Sequence, residues 1–100
     1  MGIWNQLFGK KIDLAEVISN GAKVIDVRSN SEFSAGHAKG SVNIPLDQIS
    51  TNIEKLKAYN QPLILCCASG IRSGNATSIL KKEGIECYNG GSWKKVNQYL

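Results

Sequence analysis

Residues 63–73 read Leu63-Ile64-Leu65-Cys66-Cys67-Ala68-Ser69-Gly70-Ile71-Arg72-Ser73, an apolar run followed by a short polar loop. The apolar run, residues 63–66, predicts a buried strand, and the segment after the loop, residues 73–82, predicts a helix. The first N–H groups of a helix have no intrahelical partner, and they carry the positive end of the helix dipole. An anion held in this loop would therefore be stabilised by the backbone.

Cys67, at the end of the predicted strand, is the candidate nucleophile. The helix N-terminus and the permanent cation of Arg72 both favour thiolate over thiol, so we expect the pKa of Cys67 to lie below that of an ordinary cysteine. Gly70 permits a positive φ that turns the loop amides inward, and Ser73 is placed as an N-cap or first-turn donor. The predicted substrate-binding residues are Ala68, Ser69, Gly70, Ile71, Arg72 and Ser73.

Strand-like and helix-like segments alternate along the chain. Predicted strands cover residues 24–27, 42–44, 63–66 and 86–88, and predicted helices cover residues 14–19, 30–35, 47–56, 73–82 and 96–100. Asp13 is the expected cap of the first helix, and Gly90-Gly91 is expected to turn the chain. The alternation predicts one α/β domain, a mainly parallel central sheet flanked by helices on both faces. Ligands of such sheets bind beyond the carboxyl ends of the strands, where Cys67 and Arg28 are expected.

Composition excludes several classes of protein. One hundred residues, 42% of them hydrophobic, are enough for one domain with one core. The formal net charge is +4, but the Lys/Arg residues are spread out, which favours solubility over a nucleic-acid surface. No apolar run has the length of a membrane span, and the N-terminus resembles neither a secretory signal nor a myristoylation site. We therefore expect a cytoplasmic protein with no nucleic-acid or membrane partner.

Cysteine usage also indicates a reducing compartment. The chain has three cysteines, and two of them are adjacent. Cys66 and Cys67 are not expected to bridge each other, because neighbouring side chains of a strand point to opposite faces. Cys66 should therefore point into the core, and Cys87 is expected to be a small buried apolar residue. The pattern is not a disulfide framework.

Three segments together resemble the single-domain rhodaneses, a family of sulfurtransferases. The first is Ile25-Asp26-Val27-Arg28 followed by Glu32-Phe33, and the second is Gly36-His37-Ala38-Lys39-Gly40-Ser41-Val42-Asn43-Ile44-Pro45. The third is Cys67-x-x-Gly70-x-Arg72-Ser73, with Gly90-Gly91 downstream. They are similar to the family's elements in order and in spacing, and they extend over residues 25–91.

The resemblance implies a rhodanese-like three-layer fold and a reaction through a Cys67 persulfide. The thiolate attacks the outer sulfur of a donor such as thiosulfate, and sulfite leaves. A thiophilic acceptor then takes the sulfur. The implied partners are a small anionic sulfur donor and a thiol or protein acceptor. The loop amides would hold the anionic sulfur, and the transfer needs no metal or organic cofactor. We expect a monomer, with residues 1–11 as a short N-terminal extension that packs on the domain.

The resemblance also implies supporting residues around the loop. Asp26 and Arg28 support the site from the neighbouring strand, and a structural ion pair is the favoured interpretation. Arg72 either binds the anionic end of the donor or braces the loop through Glu32, and the sequence leaves both roles open. His37 is expected to form a hydrogen-bonding scaffold rather than to act as an acid or base. Trp4 and Trp93 are expected to be packing residues.

The chain departs from the family pattern at Lys39, Cys66 and Trp93, which bears on the acceptor surface. Three alternatives stay open. Counting from Cys66 gives Cys66-x5-Arg72, the spacing of a phosphatase loop, although Leu65 rather than His precedes that cysteine. A non-catalytic rhodanese-like binding module is the second alternative. A redox enzyme with Cys66 or Cys87 as resolving cysteine is the third.

Overall fold

Four short strands form one parallel sheet in the order β2-β1-β3-β4. The structure is a computed structural model that describes residues 13–100, so the expectations for the N-terminal extension and for Trp4 lie outside the described residues. The strands are β1 (Lys23–Asp26), β2 (Val42–Asn43), β3 (Leu63–Cys67) and β4 (Cys87–Ser92). The predicted α/β class with a parallel central sheet is confirmed.

Five α-helices and two short 3-10 segments are described around the sheet. The helices are α1 (Leu14–Ser19), α2 (Asn30–Ala35), α3 (Ile53–Ala58), α4 (Ile71–Lys82) and α5 (Trp93–Asn97), and the 3-10 segments are Leu46–Gln48 and Ser50–Asn52. The bounds predicted for α1 and α2 are confirmed. Asp13 accepts a hydrogen bond from the Glu16 N–H, and Ser29 forms a capping box with Glu32. Among residues 13–100, no helix combines the length and apolar character needed to span a bilayer.

Two buried clusters lie on opposite faces of the sheet, and β3 contributes to both. Leu63, Leu65 and Cys67 belong to the larger cluster, which also takes Leu56 of α3 and Leu80 of α4. Ile64 and Cys66 belong to the smaller cluster, with Leu14 of α1 and Val96 of α5. All five residues of β3 are buried, as expected of a central strand covered on both faces.

The continuous helix predicted over residues 47–56 is wrong. Pro45 precedes a 3-10 turn, and regular α-helix begins only at Ile53. The Thr51 hydroxyl and the Asn52 amide both donate to the Gln48 carbonyl. Polar side chains that bond nearby backbone in this way compete with α-helix, which explains the delay.

The predicted turn at Gly90-Gly91 is also wrong, because both glycines lie within β4. The register shifts between Leu65 and Cys66, so that Asn89 pairs with Leu65 and Gly91 pairs with Cys66. This irregularity is a bulge that consumes one extra residue of β4. The side chain of Ser92 then caps α5, which begins at Trp93 rather than at residue 96.

Candidate active site

Cys67 ends β3, and its sulfur lies inside the loop that leads to α4. The Gly70 N–H donates to Cys67 Sγ at 3.0 Å, and the Ser73 N–H donates at 3.4 Å. Gly70 has φ +104, and a Cβ built on it would lie 3.3 Å from Gly91 Cα. A residue other than glycine at position 70 would therefore be strained and crowded. The loop is tight because its backbone at Gly70 lies close to the backbone of β4 at Gly91.

Helix α4 begins at Ile71, two residues earlier than the predicted helix. Ser73 is consequently the third residue of the helix, so the N-cap part of its prediction is wrong, and its N–H donates to Cys67 Sγ from the first turn. Its hydroxyl Oγ lies 3.4 Å from Cys67 Sγ. Of the loop residues, Ala68 and Ser69 are exposed and Ile71 is 75% exposed, so the outer rim of the loop faces solvent.

The two adjacent thiols have opposite electrostatic surroundings. Burial alone would raise the pKa of Cys67, but the Ser73 hydroxyl, when it donates to the sulfur, and the N–H groups of Ser73, Gly70 and Ser69 outweigh it and lower the pKa. Cys66 faces the smaller buried cluster, where burial, with the nearby Asp26 carboxylate, raises its pKa to about 12. Of the two thiols, Cys67 is the one prepared to ionise.

Asn89 is a site residue that sequence reasoning missed. It lies on β4, where its Oδ1 accepts from the Ser73 hydroxyl at 2.6 Å and from the Gly91 N–H at 3.0 Å. Its Nδ2 donates to the Gly70 carbonyl at 3.0 Å. One side chain therefore ties the loop, the first turn of α4 and the bulge of β4 together. The only signal in the sequence is its place directly before Gly90-Gly91.

Arg72 points to Glu32 of α2. Its two terminal nitrogens donate to the two carboxylate oxygens at 2.8 and 3.1 Å, a bidentate ion pair. Hydrogen bonding from Arg72, and from Ser29 at the start of α2, lowers the pKa of Glu32 to about 2. Arg72 thus braces the loop through Glu32, one of the two roles that the sequence left open.

Asp26 and Arg28 form the predicted ion pair beside the loop, at the carboxyl end of β1. Both are buried, and Arg28 Nη2 lies 2.7 Å from Asp26 Oδ2. The same nitrogen donates to the Gly36 carbonyl at 2.7 Å, and the guanidinium lies over the Trp93 ring at 4.9 Å. The hydrogen bonds that Arg28 donates to the Asp26 carboxylate raise the pKa of Arg28 despite burial. This pair joins three chain segments behind the site.

His37 and Cys87 lie apart from the loop between β3 and α4. His37 is exposed, its Nδ1 lies 2.7 Å from the Phe33 carbonyl, and its ring stacks on the Phe33 ring. These contacts agree with the expected scaffold role. Cys87 is buried against α4, and burial raises its pKa. All three cysteines are free thiols.

An open groove of about 500 Å³ lies beside the loop. Half of its lining residues are apolar, and the others are a serine, a carboxylate and the guanidinium of Arg72: Val27, Ser29, Pro45, Leu46, Asp47 and Arg72. Among residues 13–100, no group of three His, Cys, Asp or Glu side chains is arranged to hold a metal ion. The arrangement as a whole offers one thiol with a lowered pKa, backbone N–H donors that can stabilise an anion on its sulfur, and an open groove beside Arg72.

Comparison with known proteins gives a consistent result. The family model of the rhodanese-like domain matches residues 11–98. The protein YqhL of Bacillus subtilis is 41% identical over 76 residues, which cover 74% of this chain and 60% of YqhL. The chain therefore spans less than two thirds of that relative's length.

Two further similarities concern proteins named for sulfur chemistry. The thiosulfate sulfurtransferase GlpE of Haemophilus influenzae is 31% identical over 71 residues, which cover 71% of this chain and 67% of GlpE. A solved structure of a rhodanese with anions from E. coli superposes with a TM-score of 0.69 at 30% identity, covering 75% of this chain and 91% of that one. The similarity to both extends over most of the chain.

Proposed function

This chain belongs to the rhodanese-like domain family, and from that premise we propose that it transfers sulfane sulfur through a persulfide on Cys67. The relatives, which include a thiosulfate sulfurtransferase, support a sulfurtransferase-type function in general terms. We propose the thiosulfate reaction, the identity of the nucleophile and the class of acceptor from the geometry of the site.

In the first half-reaction, the Cys67 thiolate attacks the outer sulfur of thiosulfate. A sulfur–sulfur bond forms to Cys67, the bond between the two thiosulfate sulfurs breaks, and sulfite leaves with that electron pair. The negative charge of the thiolate moves to the terminal sulfur of the new persulfide. The N–H groups of the loop and of the first turn of α4 stabilise that charge, as an oxyanion hole does for oxygen.

In the second half-reaction, a thiolate acceptor attacks the terminal sulfur. A new sulfur–sulfur bond forms to the acceptor, and the electron pair of the broken bond returns to Cys67 as thiolate. Because the transfer has two steps, the donor and the acceptor react with Cys67 one after the other. The groove beside Arg72 and the exposed Ile71 at the rim support a thiol or protein acceptor.

One observation carries the proposal: Cys67 Sγ accepts hydrogen bonds from two backbone N–H groups, whereas Cys66 lies in the buried cluster on the other face of the sheet. A phosphatase that used Cys66 as its nucleophile would need the Cys66 thiol to ionise, and the burial of Cys66 opposes ionisation because it raises the pKa. The geometry therefore favours sulfur transfer by Cys67 over the phosphatase alternative.

The test is intact-protein mass spectrometry after incubation with thiosulfate, on the wild type, Cys67→Ser and Cys66→Ser. Cys66→Ser is the matched control because it changes the adjacent thiol on the opposite face of β3. We expect the mass of one added sulfur atom in the wild type and Cys66→Ser, and its absence in Cys67→Ser. Loss of the adduct in Cys66→Ser alone, with both variants folded, would overturn the assignment of the nucleophile.

A further inference from the structure

The hydrogen bond between Ser73 and Asn89 directs the Ser73 hydroxyl proton away from Cys67. The orientation of the Asn89 amide is set by two backbone groups, because its Nδ2 donates to the Gly70 carbonyl and its Oδ1 accepts from the Gly91 N–H. An amide oxygen can only accept, so at 2.6 Å the Ser73 hydroxyl must be the donor to Asn89 Oδ1.

The same hydroxyl oxygen lies 3.4 Å from Cys67 Sγ. Because a hydroxyl has one proton, it presents only lone pairs to the sulfur while the proton points to Asn89. Lone pairs accept the S–H of a thiol, but they repel a thiolate or a persulfide anion. Ser73 can lower the pKa of Cys67 only to the extent that Asn89 gives up this proton. Asn89 and the sulfur are competing acceptors.

We propose that Asn89 is a positioning residue for the proposed sulfur-transfer reaction, holding the Ser73 hydroxyl proton while Cys67 is a thiol and yielding it when charge forms on the sulfur. The backbone donors to the sulfur are fixed by the loop, so the hydroxyl is the donor that can turn. This inference rests on the proposed function, because it gives the nucleophile a neutral resting state and an anionic working state.

Most of the charged groups around Cys67 are paired with a group of opposite charge, so the position of the Ser73 hydroxyl proton has its own effect on the pKa of Cys67. From α4 and α2, Arg72 and Glu32 neutralise each other, and from β1 Asp26 and Arg28 do the same. On β3 itself, the pKa of Cys66 is raised, so that neighbour stays neutral at ordinary pH. Asp47 of the 3-10 segment lines the groove on the Arg72 side. From β4, the group that faces the site is the uncharged Asn89.

The experiment is a pH titration of the Cβ chemical shift of isotopically labelled Cys67. It compares the wild type, Asn89→Ala, Ser73→Ala and the double variant. Removing the competing acceptor in Asn89→Ala frees the hydroxyl for the thiolate, so we expect a Cys67 pKa lower by about one pH unit, the worth of a hydrogen bond to a charged group. In the Ser73→Ala background the same Asn89 change should move the pKa by much less, because there is no hydroxyl proton to free.

An Asn89→Ala variant with native spectra whose Cys67 pKa is unchanged or higher would overturn the proposal. So would an equal shift with and without the Ser73 hydroxyl, because the effect would then come from loosening the loop. If Asn89→Ala does not fold, Asn89→Asp keeps an acceptor oxygen at the position. Its carboxylate should raise the Cys67 pKa more when Ser73 is present than in Ser73→Ala, and equal increases would contradict the proposal.

The titration uses no sulfur donor, so it is independent of the transfer assay. Persulfide formation without coupling between Ser73 and Asn89 would leave the proposed function standing and remove this inference. Coupling in a protein that takes no sulfur from thiosulfate would support the role of Asn89 and count against that donor.

Discussion

At the scale of single residues, the most informative contrast is between Cys66 and Cys67. Both residues are fully buried, yet the pKa of Cys66 is raised by burial and that of Cys67 is lowered by hydrogen bonds. The difference arises because successive side chains of a strand face opposite ways. Cys66 packs against apolar side chains, and Cys67 Sγ accepts hydrogen bonds from N–H groups. Burial by itself therefore says little about the reactivity of a thiol.

The lowered pKa of Cys67 predicts the pH dependence of its reaction. The thiolate is the nucleophile, so the rate of persulfide formation should rise with pH and reach half of its maximum below pH 9.0, the ordinary value for a cysteine. Single-turnover kinetics with thiosulfate across a pH series measure this. Ser73→Ala keeps the backbone donors and serves as a control for the hydroxyl. A half-maximal rate at or above pH 9.0 would contradict the prediction.

At the scale of secondary-structure elements, Arg72 of α4 and Glu32 of α2 hold two helices together across the mouth of the site. Both side chains are more than a third exposed, so the pair contributes little to overall stability. Its effect is geometric instead. Two parallel hydrogen bonds define the direction of the guanidinium and, through it, the start of α4.

This bracing role predicts how Arg72 variants respond to the charge of the donor. Arg72→Ala should reduce the rate with thiosulfate and with an uncharged trisulfide donor by similar factors, because a paired guanidinium does not bind the donor directly. Arg72→Lys should resemble Arg72→Ala, since lysine cannot form the bidentate pair. The measurement is kcat/KM for both donors. A loss confined to thiosulfate would instead assign Arg72 to donor binding.

Strand β4 depends on Gly90 for its close approach to β3 and α5. A Cβ at this position would lie 2.6 Å from Ile64 Cγ2 and 2.7 Å from Val96 Cγ2, both on branched, buried side chains. Neither neighbour can rotate away cheaply in a filled core. The glycine is therefore required by packing.

Gly90→Ala should lower the free energy of unfolding by about 1–3 kcal/mol, the usual range for an overpacked core. Gly84→Ala is a comparison for backbone strain without crowding, because Gly84 has φ +77, unlike Gly90, and open space around its Cβ position. That comparison measures backbone strain alone, about 1–2 kcal/mol. Urea unfolding of both variants gives the comparison. Retention of native stability by Gly90→Ala would show that the core rearranges freely around this strand.

At the scale of the whole molecule, the Asp26–Arg28 pair connects the sheet to both of its flanks. It joins the end of β1 to the Gly36 carbonyl after α2 and to the Trp93 ring at the start of α5. Asn43 of β2 adds to the same point, since its amide donates to the backbone carbonyls of Asp26 and Arg28. A buried network of this kind is costly to break in part.

Asp26→Asn should therefore cost about 3–5 kcal/mol, because it leaves the buried Arg28 cation unpaired. That is a large part of the roughly 5–15 kcal/mol that stabilises a typical domain. The double variant Asp26→Asn/Arg28→Met removes both charges and should recover stability relative to Asp26→Asn. Urea midpoints of the wild type, Asp26→Asn, Arg28→Met and the double variant test this. A double variant that loses the sum of the two single losses would exclude the ion pair as the cause.

Much of the fold and part of the site were predictable from the sequence alone. The alternation of short apolar runs with helical spacing predicted a parallel sheet covered on both faces, and Asp13 caps the first helix as its position in the sequence indicated. The loop from Cys67 to Ser73 was also predictable from the local sequence. Their role depends on being next to one another in the chain, at a strand end before a helix.

Tertiary structure alone decided what lies opposite that loop. Asn89 reaches Ser73 across 16 positions of sequence and Arg72 reaches Glu32 across 40, and no local pattern states which distant partner a side chain will meet. Gly90-Gly91 looks like a turn when taken alone, yet both residues lie within β4, where Ile64 and Val96 leave no room for a side chain at Gly90. The sequence determined which residues can do chemistry. Packing determined which partner accepts each proton, because hydrogen bonds depend on distances that only the folded chain sets.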